Sequence, residues 1–442
     1  MDDSVGNGLE NPAENRGLLW RALGISLIGY AADYYDFGLY ATVAALVFPR
    51  LFFPNSDPTT ALLASFGTFT AGFVTRPLGG VIFGQLGDRI GRKKVFVFGM
   101  VVIGLVTTAI GLLPTFATIG ILAPTLLVLL RMVQGIAVGG QFGAAALVTT
   151  EYAPNDKRGF YSSLAQIGAP LSDVLVNLSF LALTVALTQD QFLGWGWRVP
   201  FLLGFIPVLV GLYAHKRLEE TPVFRQARRN WPESRERWPI LNLLRAHPWQ
   251  TVSGIGMTIG YLGSVYVLLS YMLAYGTATL GLSRGTMLGA VLISEVVAMP
   301  LTIAFAALSD RVGRRKVYAT GAVLAATWAF PFFWFVNTAA VVFVFGAMLI
   351  SQAFVRMMHG PLTALLVEMF GTEVRFSGVS VSFQFGSLFG ASLAPLISAW
   401  LFAATGTSLA VSGYVAAVAL VGLISASLAV EASDRDLLEV GG

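Results

Sequence analysis

The sequence predicts an all-α membrane protein: twelve transmembrane helices in two pseudo-symmetric halves of six. Three observations carry that expectation. The 442-residue chain is 55% hydrophobic and 12% charged, with a mean hydropathy of +0.72, whereas a soluble domain carries about 25% charged residues. The apolar residues fall into long runs divided by short charged loops. One of those loops, GQLGDRIGRKKV at 84–95, returns as AALSDRVGRRKV at 306–317, and Asp88 and Asp310 stand 222 positions apart.

Taken in order, the runs place spans near 19–48, 61–84, 95–113, 118–149, 159–187, 199–217, 249–280, 284–308, 317–336, 339–369, 376–405 and 408–430. Residues 1–18 are polar and lack the basic, apolar and small-residue pattern of a cleaved leader, so the first span is retained. The second span runs into the charged loop at 84–95, and the eighth runs into its copy. The fourth and tenth each carry a central arginine, Arg131 and Arg356. The sixth ends in a charged linker at 218–248. The twelfth ends before a tail at 431–442. The organisation is thus a first half at 19–217 and a second at 249–430. Several spans exceed the ~20 residues that cross a bilayer, which implies tilt or extension.

The charges orient the chain. Arg16, Arg21, the four basic residues of 89–94, Lys157, Arg158, the run from Lys216 to Arg245, the four of 311–316, Arg375 and Arg435 fall on one side. The opposite loops hold Arg50 and Arg284. Basic loops stay in the cytoplasm, so both termini and the linker are expected there. The pI near 9.3 is an orientation signal, and nucleic acid is not an expected partner. With no cysteine, disulfides, thiolate metal sites and cysteine nucleophiles are excluded. No G-x-x-x-x-G-K-[ST], H-E-x-x-H or G-x-S-x-G occurs, which argues against ATP-driven pumping and against a hydrolase. No cofactor, metal or enzymatic activity is expected.

The two loop copies agree at Leu86/Leu308, Asp88/Asp310, Arg89/Arg311, Gly91/Gly313, Arg92/Arg314, Lys94/Lys316 and Val95/Val317. A second echo pairs EYAPNDKRGFYSSLAQIG at 151–168 with EMFGTEVRFSGVSVSFQFG at 368–386, where Glu151 and Arg158 keep the spacing of Glu368 and Arg375. Two parallel six-helix halves joined by a linker are the plan of a rocking transporter. The duplicated loop between the second and third spans of each half resembles the signature of the major facilitator superfamily. DYYDFGLYATVAALVFPRLFFP (33–54), GFVTRPLGGVIFGQLGDRIGRKK (72–94), LLRMVQGIAVGGQFGAAAL (129–147), EYAPNDKRGFYSSLAQIGAPL (151–171), GWGWRVPFLLG (194–204) and RLEETPVF (217–224) resemble its metabolite:proton symporters. The resemblance covers nearly the whole chain. It implies the major facilitator fold, a place in the plasma membrane, and symport of a small organic acid or zwitterion with protons. Two departures stand out. The family's Glu-Trp-Tyr-Asp-Phe is Asp33-Tyr34-Tyr35-Asp36-Phe37 here, and its Gly-Gly-Glu-Trp-Gly is Gly139-Gly140-Gln141-Phe142-Gly143.

Physical chemistry suggests roles for these residues. A carboxylate at Asp88 or Asp310 suits the backbone N–H groups of a facing helix N-terminus, near Arg375 and Arg158 respectively, and an arginine partner. Asp88, Arg89, Arg92, Glu151, Arg158, Asp310, Arg311, Arg314, Glu368 and Arg375 are therefore expected to form a cytoplasmic gate. Charged residues deep in a span face the bundle interior or a cavity. Here the acids are Asp33, Asp36, Asp173 and Glu295, and the bases Arg76, Arg131 and Arg356. Their one-acid surplus favours proton uptake. Asp33 and Asp36 share a helix face, and Arg131 lies at similar depth, so these three are the expected proton-coupling group. Asp173 and Glu295 are expected to face the neighbouring half or a water pocket. Gln352, Arg356 and His359 share one face of the tenth span. Arg356 suits a bidentate carboxylate, and His359 a proton carrier. Gln134, Gln141, Tyr30, Tyr34 and Arg76 complete the candidate solute-binding set, with Tyr266 and Tyr271 as further aromatics. Trp195 and Trp197 suit an interfacial belt. A monomer in the bilayer is expected. Two rival functions are a proton-coupled exporter and a solute receptor of the same fold. The fifth-span segment QIGAPLSDVLVN (166–177) lacks the exporter pattern, and no signalling module is present.

Overall fold

The computed structural model describes residues 12–217, 243, 245–371 and 374–429. Twelve spans are present. They are α1 (Pro12–Leu46), α2 (Pro58–Ile90), α3 (Arg92–Leu112), α4 (Leu122–Val138 and Gln141–Tyr152), α5 (Arg158–Gln166 and Gly168–Ala186) and α6 (Val199–Leu202 and Phe205–Arg217). The second six are α7 (Pro248–Ala278), α8 (Arg284–Val312), α9 (Arg314–Val336), α10 (Val341–Glu368), α11 (Arg375–Thr405) and α12 (Ser408–Leu428). No strand occurs among the described residues. Ten spans are long and apolar enough to cross a bilayer. The other two, α1 and α2, are 35 and 33 residues long, well beyond the ~20 required. Most of the 218–248 linker, and all of the tail at 431–442, lie outside the described residues.

Both copies of the charged loop are tighter than the sequence suggests. The spans run into the motif, and one glycine makes each turn: Gly91 and Gly313, each at φ 107°. That backbone region is closed to most L-residues, so glycine recurs at the same place in both copies. Helix α4 breaks at Gly139–Gly140 and resumes at Gln141. Helices α7 and α11 each contain a π-turn, Val267–Tyr271 and Leu388–Ser392.

The halves meet through α2 with α11 and α5 with α8, with further packing of α4 on α11 and α5 on α10. These contacts gather toward the end that carries the charged loops. A Cβ on Gly87 would lie 2.5 Å from the Phe376 ring, so only glycine permits that approach. Phe142 of α4 stacks on Phe383 of α11, with centroids 3.4 Å apart and planes at 5°. Gln384 donates to the Gly139 carbonyl at 3.1 Å, where the break in α4 leaves that oxygen without a helical partner.

One interfacial expectation is corrected. Trp195 is half exposed, but Trp197 is fully buried, set edge-on against Phe48, Phe52 and Phe201. The turn Gly196–Arg198 folds it inward, and it staples the ends of α1 and α6 together. Arg198 lies over the Trp197 ring at 4.4 Å, adding a third arginine to this end.

Candidate functional site

Asp36 on α1 and Arg131 on α4 meet at 2.8 Å, both buried. The pair belongs to a closed ring. Arg131 Nη1 donates to Asp36 Oδ2 and to Gln134 Oε1, Gln134 Nε2 donates to Thr107 Oγ1 at 2.8 Å, and Thr107 Oγ1 donates to Asp36 Oδ1 at 2.8 Å. Arg131 and Gln134 are three residues apart and so share a face of α4. The guanidinium lies over the Tyr40 ring at 3.5 Å, a cation–π contact that shields it further. The side chain of Asp33 lies outside the described residues.

The second network is built on α10. Arg356 Nη2 donates to both oxygens of Glu295 on α8, at 3.0 and 2.9 Å. Gln352 bridges the pair: its Nε2 donates to Glu295 Oε1 at 2.6 Å, and its Oε1 accepts from Arg356 Nε at 3.1 Å. Arg356 Nη1 is 3.2 Å from His359 Nδ1. Arginine has donors only, so Nδ1 accepts, and the imidazole held there is the neutral tautomer with its proton on Nε2. The His359 ring lies flat on Tyr261, with centroids 4.4 Å apart and planes at 6°.

This network borders a cavity between the halves. Arg356, Glu295, Tyr261 and Tyr266 line it from the second half, and Tyr34 and Asp173 from the first. Arg356 is therefore no lone cation awaiting an anion, because Glu295 already holds it.

At the charged-loop end, Asp310 accepts from the backbone N–H groups of Gly159 and Phe160, both at 2.8 Å. It thus caps the N-terminus of α5 across the interface. Arg314 donates to Asp310 at 2.9 Å and grips Glu368 through Nε at 2.6 Å and Nη2 at 2.8 Å. Arg158 pairs with Glu368, at 3.7 Å, and not with Asp310. The physical reason is local. Arg314 is four residues beyond Asp310, and the two backbone donors take the side of the carboxylate that faces α5. Arg311 is exposed. Arg375 donates to the Phe370 carbonyl at 3.0 Å. The side chains of Asp88, Arg89, Arg92 and Glu151 lie outside the described residues.

Comparison with known proteins agrees with this geometry. Residues 21–395 match the Major Facilitator Superfamily. The chain belongs to that superfamily. It is 40% identical to the inner membrane metabolite transport protein YhjE of Escherichia coli K12, over 94% of this chain and 95% of that protein. It is 39% identical to the shikimate transporter of the same organism, over 86% and 87%. It is 32% identical to the proline/betaine transporter of Salmonella typhimurium, over 95% and 85%. Among solved structures, the proton:xylose symporter XylE bound to 6-bromo-6-deoxy-D-glucose shares the fold, with a TM-score of 0.76 at 18% identity over 93% and 95% of the two chains.

As a major facilitator transporter, the protein is a multi-pass membrane protein and not an enzyme. The other candidate residues are distributed unevenly about its centre. Tyr34 lines the cavity, while Tyr30 is buried behind it, stacked on Tyr34 and edge-on to Phe142. Gln134 belongs to the Asp36 ring. The Gln141 amide lies against Gly29 and Gly99, on the α1 and α3 side of α4. The resumption of α4 after Gly140 turns it there. Arg76 lies over the rings of Phe37 at 3.5 Å and Phe73 at 4.4 Å, a packing position. Tyr271 falls in the π-turn of α7. Sequence reasoning missed Thr107 and Tyr261 entirely, because a lone threonine or tyrosine in an apolar run carries no signal of its partner.

Proposed function

We propose that this transporter takes up a small organic acid or zwitterion together with protons by alternating access. The observation that carries the reading is the Arg356–Glu295 pair on the wall of a cavity shared by both halves. A guanidinium whose carboxylate partner faces a cavity can exchange that partner for a solute carboxylate in the same bidentate geometry. The names of the relatives, a shikimate transporter and a proline/betaine transporter, favour a solute of this kind. Coupling is assigned to Asp36, with Asp33 beside it in sequence, and Arg131 sets which carboxylate ionises. Arg356, Gln352 and Tyr34 hold the solute. The halves 19–217 and 249–430 rock about it, joined by the 218–248 linker. Basic loops remain inside, so the closed end is cytoplasmic, with both termini there and the protein in the plasma membrane as a monomer. Asp310, Arg314, Glu368 and Arg158 hold that end shut.

The test is reconstitution into liposomes. Asp36→Asn abolishes accumulation driven by a pH gradient and keeps exchange of labelled solute, since exchange needs no net proton movement. Arg356→Lys keeps the charge and loses the fork, and solute affinity falls about tenfold or more. Full accumulation by Asp36→Asn, or unchanged affinity in Arg356→Lys, contradicts the corresponding assignment.

A further inference from the structure

The cavity carries two carboxylates, Asp173 and Glu295, and one guanidinium, Arg356. Glu295 is held by Arg356 and Gln352. Asp173 forms no ion pair or side-chain hydrogen bond among the described residues. Its backbone is held, since its carbonyl accepts from Asn177 Nδ2 at 2.7 Å. Its carboxylate borders the cavity and approaches α1 so closely that a Cβ on Gly38 would lie 2.8 Å from Asp173 Oδ1. The cavity therefore holds one carboxyl group more than it holds cations, and that group comes from the first half while Arg356 comes from the second. Beside Asp173 stand Tyr34, Tyr261 and Tyr266. Two of these rings are braced from behind, Tyr34 by Tyr30 and Tyr261 by His359. A braced aromatic face next to an unpaired carboxylate is a receptor for an organic cation, through charge and through the ring quadrupole.

We infer that the cavity recognises a zwitterion and not a simple organic acid: Asp173 and the tyrosines take a substituted ammonium group, and Arg356 takes the carboxylate. The inference rests on the reading of Arg356 given under Proposed function, and it narrows the solute class. It follows from electrostatics. A monocarboxylate on Arg356 leaves both Asp173 and the displaced Glu295 without a cation, and a dicarboxylate adds a further negative charge. A zwitterion brings its own cation to the Asp173 side and adds no net charge to the cavity.

The experiment compares matched probes on the purified transporter, by thermal shift and by competition for uptake in liposomes. The pairs are glycine betaine with 3,3-dimethylbutyrate and proline with cyclopentanecarboxylate, each differing essentially in the cationic nitrogen. The expected result is binding of at least one zwitterion by the wild type, with roughly tenfold preference over its uncharged-tail partner. Asp173→Asn removes that preference while keeping the acid partner's affinity within about twofold. Preference for the acid, binding of no zwitterion, or an unchanged ratio in Asp173→Asn overturns the inference. Arg356→Lys separates it from the reading beneath it. Loss of both members of a pair supports that reading. Retention of both, with Asp173→Asn still erasing the preference, overturns the carboxylate role of Arg356 and leaves the cation site standing.

Discussion

Arg131 and Arg356 occupy matching places in the two halves, 225 positions apart, and each is followed three residues later by a polar side chain, Gln134 or His359. Their surroundings differ. In the first half the carboxylate comes from α1, and Thr107 closes the ring around it. In the second half it comes from α8, while α7 contributes Tyr261, a ring for His359 to lie on. The first network closes on itself through Thr107 and Gln134, and the second borders the cavity. A duplicated helix thus keeps its arginine, while the choice of neighbouring helix decides which carboxylate holds it. On the proposed reading, proton handling falls to the ring around Asp36 and recognition to the network around Arg356.

The comparison can be broken most forcefully by removing one partner from each network. Arg131→Ala leaves Asp36 buried without its cation, and loss of one partner of a buried pair costs about 3–5 kcal/mol. Glu295→Gln leaves Arg356 with the Gln352 amide oxygen and His359 Nδ1 as acceptors, so the loss is smaller. Thermal unfolding in detergent should rank Arg131→Ala well below Glu295→Gln, and equal midpoints would dissolve the distinction between the two networks.

The gate gives an intermediate effect. Asp310→Asn weakens two charge-assisted bonds to the α5 N-terminus and the pairing with Arg314, and a hydrogen bond to a charged group contributes about 1.5–3 kcal/mol. Ser380 is fully buried where α11 faces Gly143 of α4, so Ser380→Cys in this cysteine-free chain reports opening of that end. Labelling should speed up roughly tenfold in Asp310→Asn. An unchanged rate would make the cluster a static brace.

The smallest effect is expected at Gly38. Gly38→Ala forces the Asp173 carboxylate to turn aside, at about 1 kcal/mol for an off-rotamer side chain, or roughly fivefold in affinity. The zwitterion's dissociation constant, measured by titration, should rise by that factor while the Asp36 ring and its coupling stay intact.

Much of this was legible in the sequence. Hydropathy and the repeated loop delimited the spans, because bilayer thickness fixes span length and a repeat leaves its register visible. The match of Asp36 to Arg131 followed from counting depth along two helices. The common face of Gln352, Arg356 and His359 followed from helical spacing. What stayed hidden depends on which helix lies beside which. Spacing gives the face of α10 but not that α8 presents Glu295 to it. It places Gln141 on α4 but not on the side turned to Gly29 and Gly99. It could not show that Trp197 folds inward, since an interfacial tryptophan and a buried one occupy the same place in a hydropathy profile.

The π-turn at Val267–Tyr271 follows the α7 cavity residues Tyr261 to Tyr266 and adds Leu269 to the same wall. A widened turn loosens the regular backbone ladder and divides α7 into two segments. The segment beyond the π-turn, Met272–Ala278, is only seven residues long. A short segment beyond a π-turn at the wall of the cavity is set off from the regular ladder of the rest of α7. The wall of the cavity and the interruption of the helix are thus parts of one element, with Tyr266 at the junction of the two.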